Sequence, residues 1–277
     1  MKNALRSLAK DLESWIADQD ENLVELPVTA KTDSLTQNID SVEDLKAETE
    51  KNQAISLAED KLDDTENQRM RTPTKKMLLD ALKEQVISCE KCPLGKSRLN
   101  AVFGVGSANA RLMFVGEGPG FQEDHQGEPF VGRSGQLLDK IMETVLGLNR
   151  ADVYIANIVK CHPMKNPETP EAHLNDRPPS SEETDACKDY LLEQIRIIQP
   201  VCIVPLGSVA AKFLLQSKEG ISVLRGKVYE YNASGISSPI KIVPTYHPAA
   251  LLRNPNLKRD TWYDIKLVKS ILDSAMQ

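Results

Sequence analysis

RLMFVGEGPGFQEDHQGEPFVGRSGQ, residues 111–136, decides how the rest of the chain is read. Leu112 to Val115 form an apolar run of the length of a buried strand. Gly116-Glu117-Gly118-Pro119-Gly120 then stops that strand and lets the backbone turn sharply while approaching something closely. Glu123 and Asp124 follow, and Phe130 stands in Pro129-Phe130-Val131-Gly132. Ser134 is placed to cap a helix in which Leu137, Leu138, Ile141, Met142 and Val145 recur at helical spacing up to Gly147. A glycine-rich loop with paired acids and one aromatic, held between strand and helix, has the layout of a site. The competing reading is a strand-to-helix turn with no further role.

Outward from this stretch, strands and helices alternate. Toward the N-terminus, Met77, Leu78, Leu82 and Val86 predict a helix that runs into Cys89-Glu90-Lys91-Cys92-Pro93-Leu94. Toward the C-terminus, strands are expected at 153–159, 201–204, 228–231 and 240–243, with a closing helix over 261–275 carrying Trp262, Ile265, Val268 and Leu272 inward. Pro178-Pro179 and the Ser180/Glu183 capping box announce the helix after the second strand. The pattern predicts an α/β fold, a three-layer α/β/α sandwich around a central, mainly parallel four-stranded sheet.

The first part of the chain reads differently. Residues 1–75 carry ten Lys/Arg against seventeen Asp/Glu, and the remainder twenty-four against twenty-three, so the overall charge of −6 belongs to the tail. Leu5, Leu8, Leu12, Trp15 and Ile16 share a face of an expected N-terminal helix (1–27), either a docking helix or a membrane-surface anchor. Residues 28–71 are polar and acidic with few aromatics, the composition of a disordered linker. No motif in this tail identifies its partner. The N-terminus lacks an apolar leader and no run approaches the length of a membrane span, so a soluble, intracellular and cytoplasmic protein is expected, without membrane association.

In such a compartment the five cysteines point to metal chemistry sooner than to disulfides. The CxxC at Cys89 and Cys92 is open to three readings: a redox pair, half of a zinc site, or half of an iron-sulfur site. A metal needs two more ligands, for which Cys161 and Cys187 are the candidates, although Cys187 also fits as a buried thiol on an apolar helix face. Cys202 lies within Val201-Cys202-Ile203-Val204 and belongs to the core.

Three loops stand at the carboxyl ends of successive strands, where open parallel sheets bind ligands. They bring Glu117 and Phe130, Asn157, and His247. An amide pairs at once with a carbonyl and an N–H, the edge that uracil offers and cytosine does not.

The sequence resembles the family 4 uracil-DNA glycosylases, the iron-sulfur branch of the uracil-DNA glycosylase superfamily. The resemblance runs from about Leu78 to Leu272 and rests on Cys89-x-x-Cys92-Pro-Leu, on Gly116-Glu-Gly-Pro-Gly with Gly127-x-Pro-Phe130-Val-Gly-Arg133, on Asn157-Ile-Val-Lys-Cys161 and on His247-Pro-Ala-Ala-Leu-Leu-Arg253. It implies a glycosylase domain over 72–277 and a structural 4Fe-4S cluster on Cys89, Cys92, Cys161 and Cys187. The gap between the last two, with Asn166 to Asn175 inserted, exceeds the family's usual length.

The implied reaction is hydrolysis of deoxyuridine's N-glycosidic bond in single- or double-stranded DNA, leaving an abasic site for base excision repair, by a monomer. Gly116, Glu117 and Gly118 would form the pocket floor, Phe130 would stack on uracil, Asn157 would read O4 and N3–H, and His247 would stabilise charge at O2. Because better-known relatives carry aspartate where this chain has Gly118, Glu117 is expected to take part by side chain or backbone, and Glu123 to narrow the pocket near C5 and help exclude thymine. Either is expected as the catalytic carboxylate that orients water or stabilises the sugar. Leu252 and Arg253 are the expected DNA contacts, with Lys160, Arg133, Lys258 and Arg259 as further phosphate candidates. The alternatives are a phosphate-binding nucleotide module, which the loop's proline and glutamate disfavour, and a non-catalytic or covalently trapping uracil-DNA binder of the same superfamily.

Overall fold

A computed structural model of the chain describes residues 73–275 apart from His173. The expected N-terminal helix (1–27) and linker (28–71) lie outside the described residues.

Four parallel strands form the centre of the sheet: β2 (Leu112–Gly116), β3 (Tyr154–Asn157), β4 (Cys202–Pro205) and β6 (Ile240–Ile242). The four-stranded expectation is corrected at the edges. Two short antiparallel strands, β1 (Val105–Gly106) and β5 (Tyr229–Tyr231), extend the sheet to six in the order β1-β3-β2-β4-β6-β5. They cap the parallel strands where an open edge would otherwise expose unpaired backbone groups.

β2 is apolar throughout because both its faces are covered. Met113 and Val115 pack into one layer with Leu191, Ile195 and Ile198 of the long helix Ser181–Ile198, and with Leu82 and Val86 of the helix Lys75–Ile87. Leu112 and Phe114 face the other layer, with Leu138, Ile141, Trp262, Ile265 and Val268. The alternation follows from the period of two along a strand. Cys202 is fully buried in this second layer, as expected.

Helix Ser181–Ile198 opens with the anticipated box: Ser180 Oγ accepts from Glu183 N (3.2 Å) and Glu183 Oε2 accepts from Ser180 N (2.8 Å). The helix after the glycine loop differs from expectation at both ends. It starts at Arg133 with Gly132, not Ser134, in the capping position, and its last turn, Met142–Leu146, widens into a π-helix before Gly147. The closing helix likewise begins earlier, at Lys258.

Strand order reverses at β2: the chain moves to β3 on one side and to β4 on the other. The loops leaving these strands diverge there and open a crevice at the carboxyl edge of the sheet, the position at which this architecture holds ligands.

Candidate active site and cysteine cluster

That crevice is a cavity of about 490 Å³. Glu117, Phe130, Asn157 and His247 all line it, and Glu123, Gly118 and Arg253 join them. Gly116, at the end of β2, packs tightly behind two of the lining side chains: a Cβ there would lie 2.3 Å from Asn157 Oδ1 and 2.7 Å from the Phe130 ring. Glycine is therefore demanded by close approach. At Gly118 a Cβ would come within 2.7 Å of Val159 Cγ2, so an aspartate at that position requires the Val159 side chain to give way.

Asn157 ends β3 beside Gly116 and is 2% exposed. Its Oδ1 is buried and has no hydrogen-bond partner in the protein. An orphaned acceptor of this kind costs about 1–3 kcal/mol, so it is a group positioned for a donor brought from outside. Phe130 is held at a positive φ of 56°, and its ring packs against that of His247 with centroids 5.5 Å apart and a 32° tilt, both lining the cavity.

His247 precedes the short helix Pro248–Arg253, and its Nδ1 accepts from Ala249 N at 3.1 Å. That bond puts the proton of the neutral ring on Nε2. Burial first, and the nearby Arg253 charge second, push the imidazole down to about 4, so it is neutral at pH 7.

The two glutamates have different surroundings. Glu123 fastens the loop: Oε2 accepts from Gly120 N (3.2 Å), and Oε1 from Val131 N (3.1 Å) and Gly132 N (3.3 Å). These bonds nucleate a short helix, Phe121–Gln126, within the expected loop. A carboxylate so engaged has little capacity left for water, so the geometry corrects the expectation that Glu123 serves as a catalytic carboxylate. Glu117 forms no such bonds, and burial raises its carboxyl above 4.5.

A third carboxylate at the cavity, Asp176, escaped sequence reasoning. Its Oδ1 accepts from His162 Nε2 (2.7 Å), which is fully buried; His162 Nδ1 lies 3.5 Å from Asp124 Oδ2, an electrostatic contact too long for a good hydrogen bond. The bond from His162 keeps Asp176 below the usual carboxylate range. Burial opposes charge on His162, but Asp124 and Asp176 overcome it and raise the ring to about 9. The available signal was position: an acid in the excursion that leaves the carboxyl end of β3.

Among the DNA candidates, Arg253 is exposed at the cavity, and Arg133 and Arg259 are exposed. Leu251 is buried and Leu252 packs half-buried against the second core layer, which leaves little of either for DNA. Lys160 and Lys258 are corrected as phosphate contacts, since both are buried; Lys160 Nζ donates to Asn157 O (2.8 Å) and Gln194 Oε1 (2.6 Å).

On the other side of β3, Cys89, Cys92, Cys161 and Cys187 line one small cavity with Arg98 and Lys160. Arg98 Nη1 lies 3.0 Å from Cys161 Sγ, and Lys160 N lies 3.3 Å from Cys187 Sγ. Burial pushes Cys161 up to about 11 and raises Cys187 as well, so as free thiols they are neutral. Among the described residues no three His, Cys, Asp or Glu side chains gather as a single metal ion needs. Four soft sulfur donors around a shared space, with cationic and N–H donors aimed at the sulfurs, suit a polynuclear iron-sulfur group better than one ion.

Residues 103–266 match the Uracil DNA glycosylase superfamily. The chain is 42% identical to a type-4 uracil-DNA glycosylase of Saccharolobus solfataricus, over 71% of this chain and 87% of that protein. It is 43% identical to one of Sulfurisphaera tokodaii, over 70% and 84% of the two chains. With the type-4 enzyme of Archaeoglobus fulgidus it shares 41% identity, over 69% and 91%.

Proposed function

Because the chain belongs to the uracil DNA glycosylase superfamily and, within it, to the type-4 uracil-DNA glycosylases, we propose that its 490 Å³ cavity receives a uracil flipped out of DNA and hydrolyses the bond joining it to deoxyribose. The protein is a uracil-DNA glycosylase acting in repair of deaminated DNA. The observation that carries the assignment of the cavity is the buried, partnerless Oδ1 of Asn157. Uracil N3–H is a donor for it, and the amide Nδ2 is a donor for O4. Cytosine presents a bare ring nitrogen to Oδ1 and leaves it unpaired, which is the strong form of discrimination.

Phe130 offers its exposed cavity face for the ring to stack on. As the C1′–N1 bond breaks, its electron pair passes to uracil, and negative charge grows at N1 and O2. His247 Nε2–H is positioned to meet O2, while the bond from Ala249 N keeps the ring from turning. Water adds to C1′ from the opposite face, its excess proton passes to the Glu117 carboxylate, and the uracil anion takes up one proton from solvent as it leaves. Glu117 also orients the water, with Asp176 as a fixed negative charge that favours the cationic sugar.

Cys89, Cys92, Cys161 and Cys187 would hold a 4Fe-4S cluster, which when bound ties the helix Lys75–Ile87 and the excursion after β3 to the sheet. The chemistry of excision is assigned to the chain's own side chains. No described helix is long and apolar enough to cross a membrane.

The test is incubation with a single-stranded oligonucleotide carrying one uracil, followed by alkali. Equal yields of free uracil and cleaved strand support excision. A strand cross-linked to protein supports trapping instead, and an unchanged strand supports a mere binder.

A further inference from the structure

Flipping a base from a duplex leaves a gap that an inserted apolar side chain commonly fills. With Leu251 buried and Leu252 half-buried against the core, the helix after His247 offers no fully exposed apolar side chain for that task. The excursion between Cys161 and Cys187 has one. Its inserted segment is a built hairpin: Lys165 N donates to Asn175 O (2.8 Å), Arg177 N donates to Pro163 O (3.0 Å), and Met164 bridges Asp176. Asn175 ties the turn internally, accepting from Asn166 N (2.8 Å) and donating to the carbonyls of Asn166 (2.8 Å) and Thr169 (3.1 Å). Glu171 pairs with His125 (2.8 Å) on the short helix of the glycine loop. The base of the hairpin, through Pro163, Asp176 and Arg177, is the wall of the cavity.

On the return arm of this hairpin, between its turn and Asp176, stands Leu174, 89% exposed, where among the described residues the next most exposed large apolar side chain reaches 59%. Its φ is +63°, a left-handed conformation costly for leucine, and Lys165 Nζ holds its carbonyl (3.1 Å). Neither burial nor backbone preference accounts for leucine at this position.

We infer that Leu174 is the wedge of this enzyme, a side chain carried by the inserted hairpin that enters duplex DNA beside the cavity and occupies the space vacated by the flipped nucleotide. The inference rests on the uracil-excision reading above. Single strands have no stacked gap to fill, so the wedge acts on duplex substrate alone.

The experiment uses the full chain as wild type, Leu174→Ala, Leu174→Met and Leu252→Ala, with single-turnover uracil release from one strand alone and from its duplex. Leu174→Ala is expected to slow the duplex reaction by about tenfold and leave the single strand within about twofold, with Leu174→Met restoring the duplex rate. Fluorescence of 2-aminopurine next to the uracil should rise on flipping in wild type and less in Leu174→Ala. Equal loss on both substrates, no loss on either, a wild type inert on duplex, or a duplex defect in Leu252→Ala alone overturns the wedge. Failure of wild type to release uracil from either substrate instead overturns the excision reading.

Discussion

Replacing His247 by alanine removes a single N–H from the leaving group, and the structure fixes what that N–H is. Nδ1 is committed to Ala249 N, so Nε2 is the donor. With the ring pushed down to about 4, roughly one molecule in a thousand carries imidazolium at pH 7, and the neutral donor does the stabilising. Loss of one preorganised donor costs about 2.7–4 kcal/mol, a fall of about 10²–10³ in single-turnover rate. The assay is rapid-quench cleavage of an end-labelled uracil oligonucleotide with enzyme in excess. A fall smaller than about tenfold would refute the role. Stability supplies an independent check. The unfolded imidazole titrates near 6.5 and the folded one at about 4, so the unfolded chain binds more protons between those values. The contribution is fully present above about 6.5 and is lost as pH falls toward about 4, by about 3 kcal/mol at most. Urea denaturation at pH 5 and pH 7 should show a smaller pH-dependent difference in His247→Ala than in wild type.

Glu117 should set the acid limb of the rate profile, with a midpoint above 4.5 and activity lost as its carboxylate is protonated; Glu117→Gln should lower the plateau and abolish that limb, and an unchanged profile removes Glu117 from the mechanism. Gly116→Ala places a methyl 2.3 Å from Asn157 Oδ1 and should lower excision at least about 100-fold while costing about 1–3 kcal/mol in denaturant melts. Iron and sulfide analysis of purified protein should show a full cluster in Cys202→Ala and a depleted one in Cys187→Ala, since only Cys187 faces the shared cavity; a full cluster in Cys187→Ala would eliminate it as a ligand.

Much of the fold was legible because its signals are local. The run Leu112–Val115 between polar and glycine-rich ends can only be a strand covered on both faces, and Ser180 with Glu183 specifies a helix start within four residues. One edge strand, at 228–231, was legible, but the other was harder: Val105–Gly106 is two residues long and is a strand only because β3 lies beside it. Ser134 looked like a cap because its hydroxyl suits one, but Glu123 already holds the amides of Val131 and Gly132 and starts the helix earlier. The same bonds take Glu123 away from the water that its place in the loop suggested it would hold. An acid in a loop carries no mark of whether backbone amides will occupy it. Asp176 was missed for the converse reason, since its place at the cavity depends on a hairpin that returns it to Pro163 and on a histidine buried beneath it.

The most direct measurement is a crystal structure of the enzyme with an abasic oligonucleotide and uracil. The ring is expected stacked on Phe130 in the cavity, with N3–H on Asn157 Oδ1, O4 on its amide nitrogen and O2 facing His247 Nε2. Uracil bound with its Watson–Crick edge turned away from Asn157, or seated outside this cavity, would contradict the central claim.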